Sequence, residues 1–270
     1  LLIAVIVYSF VWSVLCNNVS KVDQIWSVTP VMYSWMFWLH YYFNHEGVAH
    51  IRLTVVTVMV SVWGARLTYN FWRKGGYGNL ITHEEDYRWP ILREMMHPAV
   101  FFFFNLTFIA TYQNVLLYLI ALPTYFVMKG PSTTFTVFDL IVSCTFISLL
   151  AMETVADEQH FQFQAKKYSF PSTVRKTHPD KDVRDGFFQS GLWKFSRHPN
   201  YFAEQMMWVC VYLFSIPTTR NLLHFCSIGC VLLILLFQGS IAFGESITKS
   251  KYPSYELYQR KVSRCIPVCW

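Results

Sequence analysis

The sequence predicts an all-α fold, a multi-pass membrane helical bundle of about seven transmembrane helices. Hydrophobic residues make up 54% of the 270 residues, aromatic residues make up 19%, and the mean hydropathy is +0.30. Only 14% of the residues are charged, whereas a soluble domain usually carries about 25%. The apolar residues also form runs of the length needed to cross a bilayer, which takes about 20 residues.

Each predicted span is an apolar run that ends at polar or helix-breaking residues. Pro123 and Pro217 lie where two of these runs are expected to end, because proline disrupts a helix interior. The predicted spans are 1–16, 25–43, 51–72, 98–122, 135–156, 200–216 and 222–243. No repeat or low-complexity tract interrupts the pattern, and residues 1–270 are predicted to form a single membrane domain.

The basic residues are divided unequally between the two sides of such a bundle. Of the 22 lysines and arginines, 18 fall on one side, Arg66 lies inside a span, and the remaining three are Arg52, Lys129 and Arg220. Positive residues accumulate on the cytoplasmic side of membrane proteins. The C-terminus is therefore predicted to face the cytoplasm or the mitochondrial matrix, in the endoplasmic reticulum or the mitochondrial inner membrane.

Ionisable residues inside membrane spans are candidates for function, because a membrane interior disfavours them. These candidates are Arg66, Asp139, Glu153, Glu204 and Glu245. Asp139 has a simpler interpretation as an acid in the first turn of its helix, where the helix dipole favours it.

The segment GLWKFSRHPNYFAEQ, residues 191–205, places several polar groups at the start of the sixth predicted span. Pro199 suits the first turn of a helix, where its missing N–H is not needed. The residues on one face of this helix are Asn200, Tyr201, Glu204, Gln205 and Trp208. The basic residues before it are Lys194, Arg197 and His198. A helix start among cations is an anion site; headgroup anchoring is the alternative, and it explains Asn200 and Glu204 poorly.

A second polar cluster lies in ETVADEQHFQFQ, residues 153–164. Glu153, Asp157 and His160 share one helix face and could bind ribose hydroxyls or an amide. An ordinary polar helix end is the alternative. No metal is predicted, because the spacing of these residues and of the seven cysteines fits no metal-ligand pattern. No nucleic-acid partner is expected.

Two further segments carry polar groups at the predicted membrane edge. In residues 63–94, Arg66 and Tyr69 lie about one turn apart, and GGYG matches neither the Rossmann nor the P-loop fingerprint. The tail GESITKSKYPSYELYQRKV has tyrosines at a spacing of three, which indicates a short amphipathic helix on the membrane. Tyr255 in this tail could close over a bound cofactor, and surface anchoring is the alternative.

Six motifs, taken in order, resemble an uncharacterised multi-pass membrane family related to the steroid 5α-reductase C-terminal domain. They are WGARLTYNFWRKGG, EEDYRW, the Gln113–Asn114 pair before Leu122–Pro123, ADEQHFQF, GLWKFSRHPNYFAE and ESITKSKYPSYELYQRKV. The resemblance covers nearly the whole chain. The wider relatives are steroid and polyprenol reductases, sterol reductases and isoprenylcysteine carboxyl methyltransferases.

The resemblance to the reductases implies a membrane fold that holds NADPH at the cytoplasmic helix ends. Asn200, Tyr201 and Glu204 match the Asn–Tyr–x–Gly–Glu element that contacts the cofactor. Asp157 and Glu153 match an acidic helix end that binds the nucleotide, and the expected cofactor residues also include Lys194, Arg197, His198 and Tyr255. Ala203 departs from the pattern, because relatives usually have glycine there and alanine leaves less room.

The implied reaction is hydride transfer from NADPH to an alkene conjugated to a carbonyl, in a lipid-like substrate that enters from the bilayer. Tyr69 or Glu85 is the expected acid that polarises the carbonyl oxygen. Two alternatives stay open. One is an S-adenosylmethionine-dependent methyltransferase, whose relatives share the Arg–His–Pro–x–Tyr string, and the other is a non-catalytic subunit of a larger membrane protein complex.

Overall fold

The computed structural model describes residues 1–78, 85–131 and 134–268. Within these ranges every regular element is helical, which confirms the all-α prediction. The helices are α1 (Leu2–Leu15), α2 (Lys21–Trp26), α3 (Thr29–Asn44), α4 (Ile51–Arg73), α5 (Arg88–Met95), α6 (Pro98–Phe104), a π-helix (Asn105–Tyr112), α7 (Gln113–Ala121), α8 (Pro123–Met128), α9 (Val137–Tyr168), α10 (Ser172–Arg175), α11 (Lys181–Asp185), a 3₁₀ turn (Gly191–Lys194), α12 (Pro199–Leu213), α13 (Ile216–Thr219), α14 (Ser227–Lys251) and α15 (Tyr255–Lys261).

Four helical stretches are long and apolar enough to cross a membrane. They are Ile51–Arg73, Pro98–Met128, Val137–Tyr168 and Ser227–Lys251. The other predicted spans also coincide with helices, but α1, α3 and α12 have only 14, 16 and 15 residues. The four long stretches indicate an integral membrane protein, whereas the count of seven spans stays a prediction.

Two of the predicted span boundaries are wrong. Pro123 does not end a span but begins α8, and the helical stretch continues to Met128. A proline is tolerated there because the first turn of a helix does not need its N–H. The predicted span 25–43 is divided between α2 and α3, and Pro30 lies in the first turn of α3 for the same reason.

The described chain divides into two compact units, which are treated separately below. Unit 1 comprises Leu1–Ser143 and Val209–Leu233, and unit 2 comprises Cys144–Trp208 and Ile234–Trp270. In unit 1, α3 packs against α4 and α7, and α1 packs against the π-helix. An edge-to-face contact of 5.2 Å between the rings of Tyr33 and Tyr118 belongs to the α3–α7 interface.

A buried ion pair in unit 1 joins the starts of α4 and α9. Arg52 Nε and Nη2 donate to the two carboxylate oxygens of Asp139 at 2.8 and 2.9 Å, and both side chains are at most 2% exposed. Asp139 lies in the first turn of α9 as predicted, and it accepts a hydrogen bond from Thr136 N at 2.7 Å. Arg52 is the second residue of α4, at the start of the predicted span 51–72, and its side chain is buried.

Unit 2 contains the second part of α9, the short helices of residues 172–194, the start of α12, the end of α14 and the tail. The predicted amphipathic tail helix is present as α15, with Tyr255 and Tyr258 buried against Phe187. Lys167, near the end of α9, is buried as well; its Nζ donates to Gly186 O at 2.7 Å and lies 5.0 Å from the centre of the Tyr252 ring. These contacts fix the loop and the tail around the start of α12.

Candidate functional site

The polar face at the start of α12 meets the polar face of α9. Pro199 is the first residue of α12, as predicted. Asn200 Nδ2 donates to Asp157 Oδ1 at 3.1 Å, which connects two motifs that lie 43 residues apart. The other amide atom, Asn200 Oδ1, is buried and accepts no hydrogen bond from the described residues. Asn200 therefore holds Asp157 with its donor and offers an acceptor to a ligand.

The α9 side of this contact is held in place by the 3₁₀ turn of residues 191–194. Gln159 Oε1 accepts a hydrogen bond from Leu192 N at 3.0 Å, and Trp193 Nε1 donates to Ala156 O at 3.2 Å. Gly191 has a φ of +60°, and a Cβ there would come within 2.5 Å of Gln159 Oε1. Only glycine therefore allows the turn to lie this close to α9.

In unit 2, three carboxylates on these two helices are buried. Glu153 and Asp157 lie on the inner face of α9, as their spacing predicted, and Glu204 lies one turn after Asn200 on α12. Glu204 accepts a hydrogen bond from Trp208 Nε1 at 3.0 Å. Burial of carboxylates is unfavourable unless hydrogen bonds or ligands compensate them. This concentration of acceptors suits a ligand that presents hydroxyl or amide donors.

Ala203 lies in the same turn of α12 and is completely buried. Its methyl group occupies the space that a glycine would leave beside Glu204. The alanine that replaces the glycine of the relatives therefore lies inside the packed helix interface and not at an exposed edge.

Arg197 is the centre of a second buried network at the base of α12. Its Nε and Nη2 donate to the two carboxylate oxygens of Glu245 at 2.6 and 3.2 Å. Its Nη1 donates to Gln259 O at 2.9 Å and also to Val262 O. The guanidinium thus binds α14 and the end of α15 together. The predicted phosphate contact of Arg197 stays a prediction, and it would have to compete with these four bonds.

Glu245 is the common acceptor of this network. The sequence marked it as an ionisable candidate but gave it no cofactor or catalytic role. Besides Arg197, it accepts a hydrogen bond from Gln259 Nε2 at 2.8 Å and from the Tyr255 hydroxyl at 3.3 Å. His198 Nε2 lies 3.0 Å from its carboxylate. A carboxylate within a predicted span, near an arginine and a histidine at the same membrane edge, was the signal that could have revealed the pairing.

The aromatic residues beside this network are stacked and partly buried. The ring of His198 stacks on Tyr201 at 5.4 Å, and Tyr201 meets the edge of Phe237 at 4.7 Å. Burial, and next the charge of Glu245, raise the pKa of the Tyr255 hydroxyl well above its ordinary value. Tyr255 therefore stays protonated at physiological pH and donates its hydrogen bond to Glu245.

Lys194 differs from the other predicted cofactor residues because it is exposed. Its Nζ lies 4.8 Å from the centre of the Phe195 ring, at the end of the 3₁₀ turn. Among the three predicted cations, it is the one whose side chain solvent reaches most easily.

The two predicted catalytic residues belong to unit 1. Tyr69 is 57% exposed near the end of α4, with the Arg73 guanidinium 5.7 Å from its ring centre. Glu85 accepts hydrogen bonds from both Arg93 Nη atoms at 2.7 and 3.0 Å and from Val19 N at 2.9 Å. Both carboxylate oxygens of Glu85 are therefore already bonded to Arg93. Residues 79–84, which include the first residues of HEEDYRW, lie outside the described residues.

The candidate site combines several kinds of polar group with aromatic rings. Across the residues that the structure describes, no group of three or more histidine, cysteine or acidic side chains could hold a metal ion. Carboxylates, a partly satisfied amide, stacked rings and an exposed lysine are present in unit 2. Such groups recognise hydroxyls, amides, aromatic rings and phosphates.

The helices and this polar site define a class of protein: an integral membrane protein, all-helical in its described parts, with a buried polar binding face beside a long apolar helix. Residues 9–262 match the family described as "Protein of unknown function (DUF1295)", and the chain belongs to this family. A relative, the uncharacterized protein C594.04c of Schizosaccharomyces pombe, is 35% identical over 278 residues, covering 99% of this chain and 78% of its own length. No solved structure matches the chain.

Proposed function

We propose that this protein is an NADPH-dependent reductase that acts on a carbon–carbon double bond conjugated to a carbonyl group in a lipid or steroid-like substrate. The observation that carries the proposal is the hydrogen bond between Asn200 and Asp157. The resemblance to the reductases implies that both residues contact the cofactor. In the fold the two residues are hydrogen-bonded to each other, although they lie 43 residues apart in the sequence.

The residues of unit 2 fit the parts of NADPH. Asn200 Oδ1, Asp157 and Glu204 present buried acceptors to ribose hydroxyls and to the carboxamide, and Glu153 lies one turn before Asp157. Lys194 is the exposed cation for a phosphate. When bound, NADPH supplies the hydride, and the chain's part is to bind and orient it and to exclude water. The acid that polarises the substrate carbonyl is proposed to be Tyr69 in preference to Glu85, because Arg93 already holds Glu85.

The proposed setting is a seven-span bundle with its C-terminus on the cytoplasmic or matrix side, in the endoplasmic reticulum or the mitochondrial inner membrane. Its partners would be the bilayer and an apolar substrate that enters from it. The relationship of this family to the steroid reductases is also part of the proposal. Of the basic residues, Lys166, Lys194 and Lys249 lie in polar segments that the proposal places on one side of the membrane.

A second candidate is an S-adenosylmethionine-dependent methyltransferase. The observation in its favour is the acidic character of the face formed by Glu153, Asp157 and Glu204, while Arg197 is bound to Glu245. A positively charged sulfonium is attracted to buried carboxylates, and a pyrophosphate is repelled by them. The motif at the start of α12 is shared by both groups of relatives.

Cofactor binding to the purified protein in detergent separates these functions. We expect NADPH to raise the midpoint of thermal unfolding and S-adenosylmethionine to leave it unchanged. Asn200→Ala should weaken NADPH binding about tenfold, because it removes one hydrogen bond at the face and releases Asp157. Gln162→Ala is the matched control, since Gln162 is an exposed amide on α9 that contacts only Glu158.

The outcomes are distinct. Stabilisation by S-adenosylmethionine alone would replace the reductase by the methyltransferase. Stabilisation by neither cofactor would leave the protein as a non-catalytic subunit of a membrane complex. If NADPH binds wild type and Asn200→Ala with equal affinity, the nucleotide does not occupy this face.

A further inference from the structure

A groove of about 470 Å³ lies at the end of α4 in unit 1, apart from every residue given to the proposed cofactor site. It is lined by Trp72, Arg73, Gly75, Tyr77 and Gly78. Trp72 is 62% exposed, so one wall of the groove is an indole ring that faces outwards. No residue of this groove has a role in the reaction proposed above.

The floor of the groove is a glycine turn that is fixed to α2. Gly75 has a φ of +85°, and a Cβ on Gly76 would come within 2.4 Å of the Phe71 ring. Gln24 Nε2 donates to Gly76 O at 3.1 Å, and the Tyr77 hydroxyl donates to Gln24 O at 2.7 Å. Because both ends of the turn are held, the groove is formed before any ligand arrives.

The groove carries positive charge beside aromatic surface. The Nε of Arg73 donates to Asn70 Oδ1 at 2.8 Å, which orients the guanidinium, and Lys74 follows as the residue that ends α4. The rings of Trp72 and Tyr77 form the walls. An arginine guanidinium binds a phosphate through charge-assisted hydrogen bonds.

An exposed apolar stripe leads along α4 to this groove. Its residues, spaced alternately four and three apart, are Val58, Val62, Ala65, Tyr69 and Trp72. This spacing keeps them on one face of the helix. The stripe belongs to Ile51–Arg73, one of the stretches that are long and apolar enough to cross a membrane. An apolar track that ends at a cation matches a molecule with hydrocarbon chains and a phosphate head.

We propose that this end of α4 is a binding site for a phospholipid. The acyl chains lie along the exposed stripe, and the headgroup phosphate occupies the groove beside Arg73, against the rings of Trp72 and Tyr77. Basic pockets at the polar ends of membrane helices bind anionic headgroups in this way. The groove itself shares no residue with the proposed reaction. The stripe shares Tyr69 with it, so the variants that test the site change only residues of the groove.

The test uses delipidated full-length protein in detergent, with binding followed by native mass spectrometry and by thermal unfolding. The probes are phosphatidylglycerol, diacylglycerol with the same acyl chains, and glycerol phosphate. Phosphatidylglycerol is expected to bind and to stabilise wild type, whereas the other two are not. Arg73→Gln should weaken phosphatidylglycerol binding about tenfold or more, the size of one charge-assisted hydrogen bond.

Arg260→Gln is the matched control, because Arg260 is a surface arginine of α15 in the other unit. Trp72→Ala keeps the proposal testable if Arg73→Gln does not fold, since an exposed ring can be removed without opening the core. Equal binding of diacylglycerol and phosphatidylglycerol would overturn the phosphate contact. Equal stabilisation by glycerol phosphate would show a free-phosphate site instead of a lipid site, and unchanged lipid binding by both variants would refute the location.

Discussion

Among the described residues, each unit contains one buried arginine–carboxylate pair, and the two pairs are built differently. In unit 1, Arg52 and Asp139 bind mainly each other, and Arg52 Nη1 is buried and donates to no described acceptor. In unit 2, Arg197 and Glu245 share their bonds with His198, Tyr255, Gln259 and the Val262 carbonyl.

The difference indicates different purposes. A pair with few other partners joins two helices, and well-packed apolar residues could do the same. A pair whose members also hold backbone carbonyls and a second set of side chains determines how several segments meet. In unit 2 those segments are the start of α12, the end of α14 and the tail, which together form the base of the candidate site.

The largest expected effect comes from breaking the unit 2 network. Glu245→Ala leaves Arg197 buried without its carboxylate, and removal of one partner of a buried ion pair destabilises a protein by about 3–5 kcal/mol. Denaturant titration in mixed micelles measures this loss. The matched control is Glu256→Ala, which removes a surface carboxylate that pairs with Lys249 and Arg260 in the same unit.

We expect the Glu256→Ala variant to unfold at nearly the wild-type denaturant concentration. A loss in Glu245→Ala no larger than in this control would show that the network contributes little. Retained NADPH binding in a folded Glu245→Ala variant would further show that the network does not shape the site.

Replacing both members of an ion pair at once compares how much each pair contributes to stability. Arg52→Met combined with Asp139→Asn keeps the acceptor for Thr136 N, and its net effect is expected to stay within about 1 kcal/mol, since no new buried charge is left. Arg197→Met combined with Glu245→Gln leaves the carbonyls of Gln259 and Val262 without their donor. This second pair of changes should cost about 2–4 kcal/mol, because each orphaned buried group carries its own desolvation penalty.

The measurement is again denaturant titration in mixed micelles, with each single variant included so that coupling energies can be calculated. The distinction between a self-contained pair and a network would be lost if the two double variants were equally stable. It would be reversed if the unit 1 double variant were the less stable of the two.

Helix periodicity and proline position were enough to predict several features of unit 2, but not the short helices α10 and α11. Pro199 begins α12, Asn200 and Glu204 share a face, and Tyr255 lies in a short tail helix, as expected. These features depend on neighbours within one or two turns, and local spacing encodes them. The α9 face of Glu153 and Asp157 is buried for the same reason.

Long-range pairing could not be predicted in the same way. The partner of Arg197 lies 48 residues away and that of Arg52 lies 87 residues away. From the sequence, Arg197 was predicted to bind a phosphate and Arg52 was used only to assign the sides of the membrane, because only their charge was considered. Which carboxylate reaches it depends on how helices pack, and a single sequence carries little information about that. The Gly191–Gln159 contact likewise becomes visible only in three dimensions.

The smallest expected effect concerns a carboxylate that has no arginine bonded to it. Burial, and next the charge of Asp86, raise the pKa of Asp23 in unit 1 from its ordinary 3.8 to about 6, while the charge of Arg88 opposes the shift. A raised pKa means that the folded state holds the proton more tightly than the unfolded state. The stabilisation is therefore complete below pH 3.8 and is lost as the pH rises through about 6.

Because the Asp23 side chain is partly exposed, the expected loss between pH 4 and pH 6.5 is only about 1 kcal/mol. Asp23→Asn cannot ionise, so its stability should not follow this decline, and denaturant titrations of both proteins across that range measure the difference. Asp185→Asn in unit 2 should keep the wild-type slope. Parallel pH profiles for wild type and Asp23→Asn would show that Asp23 does not have the raised pKa, and that a half-buried carboxylate of unit 1 does not need a bonded arginine to keep its charge.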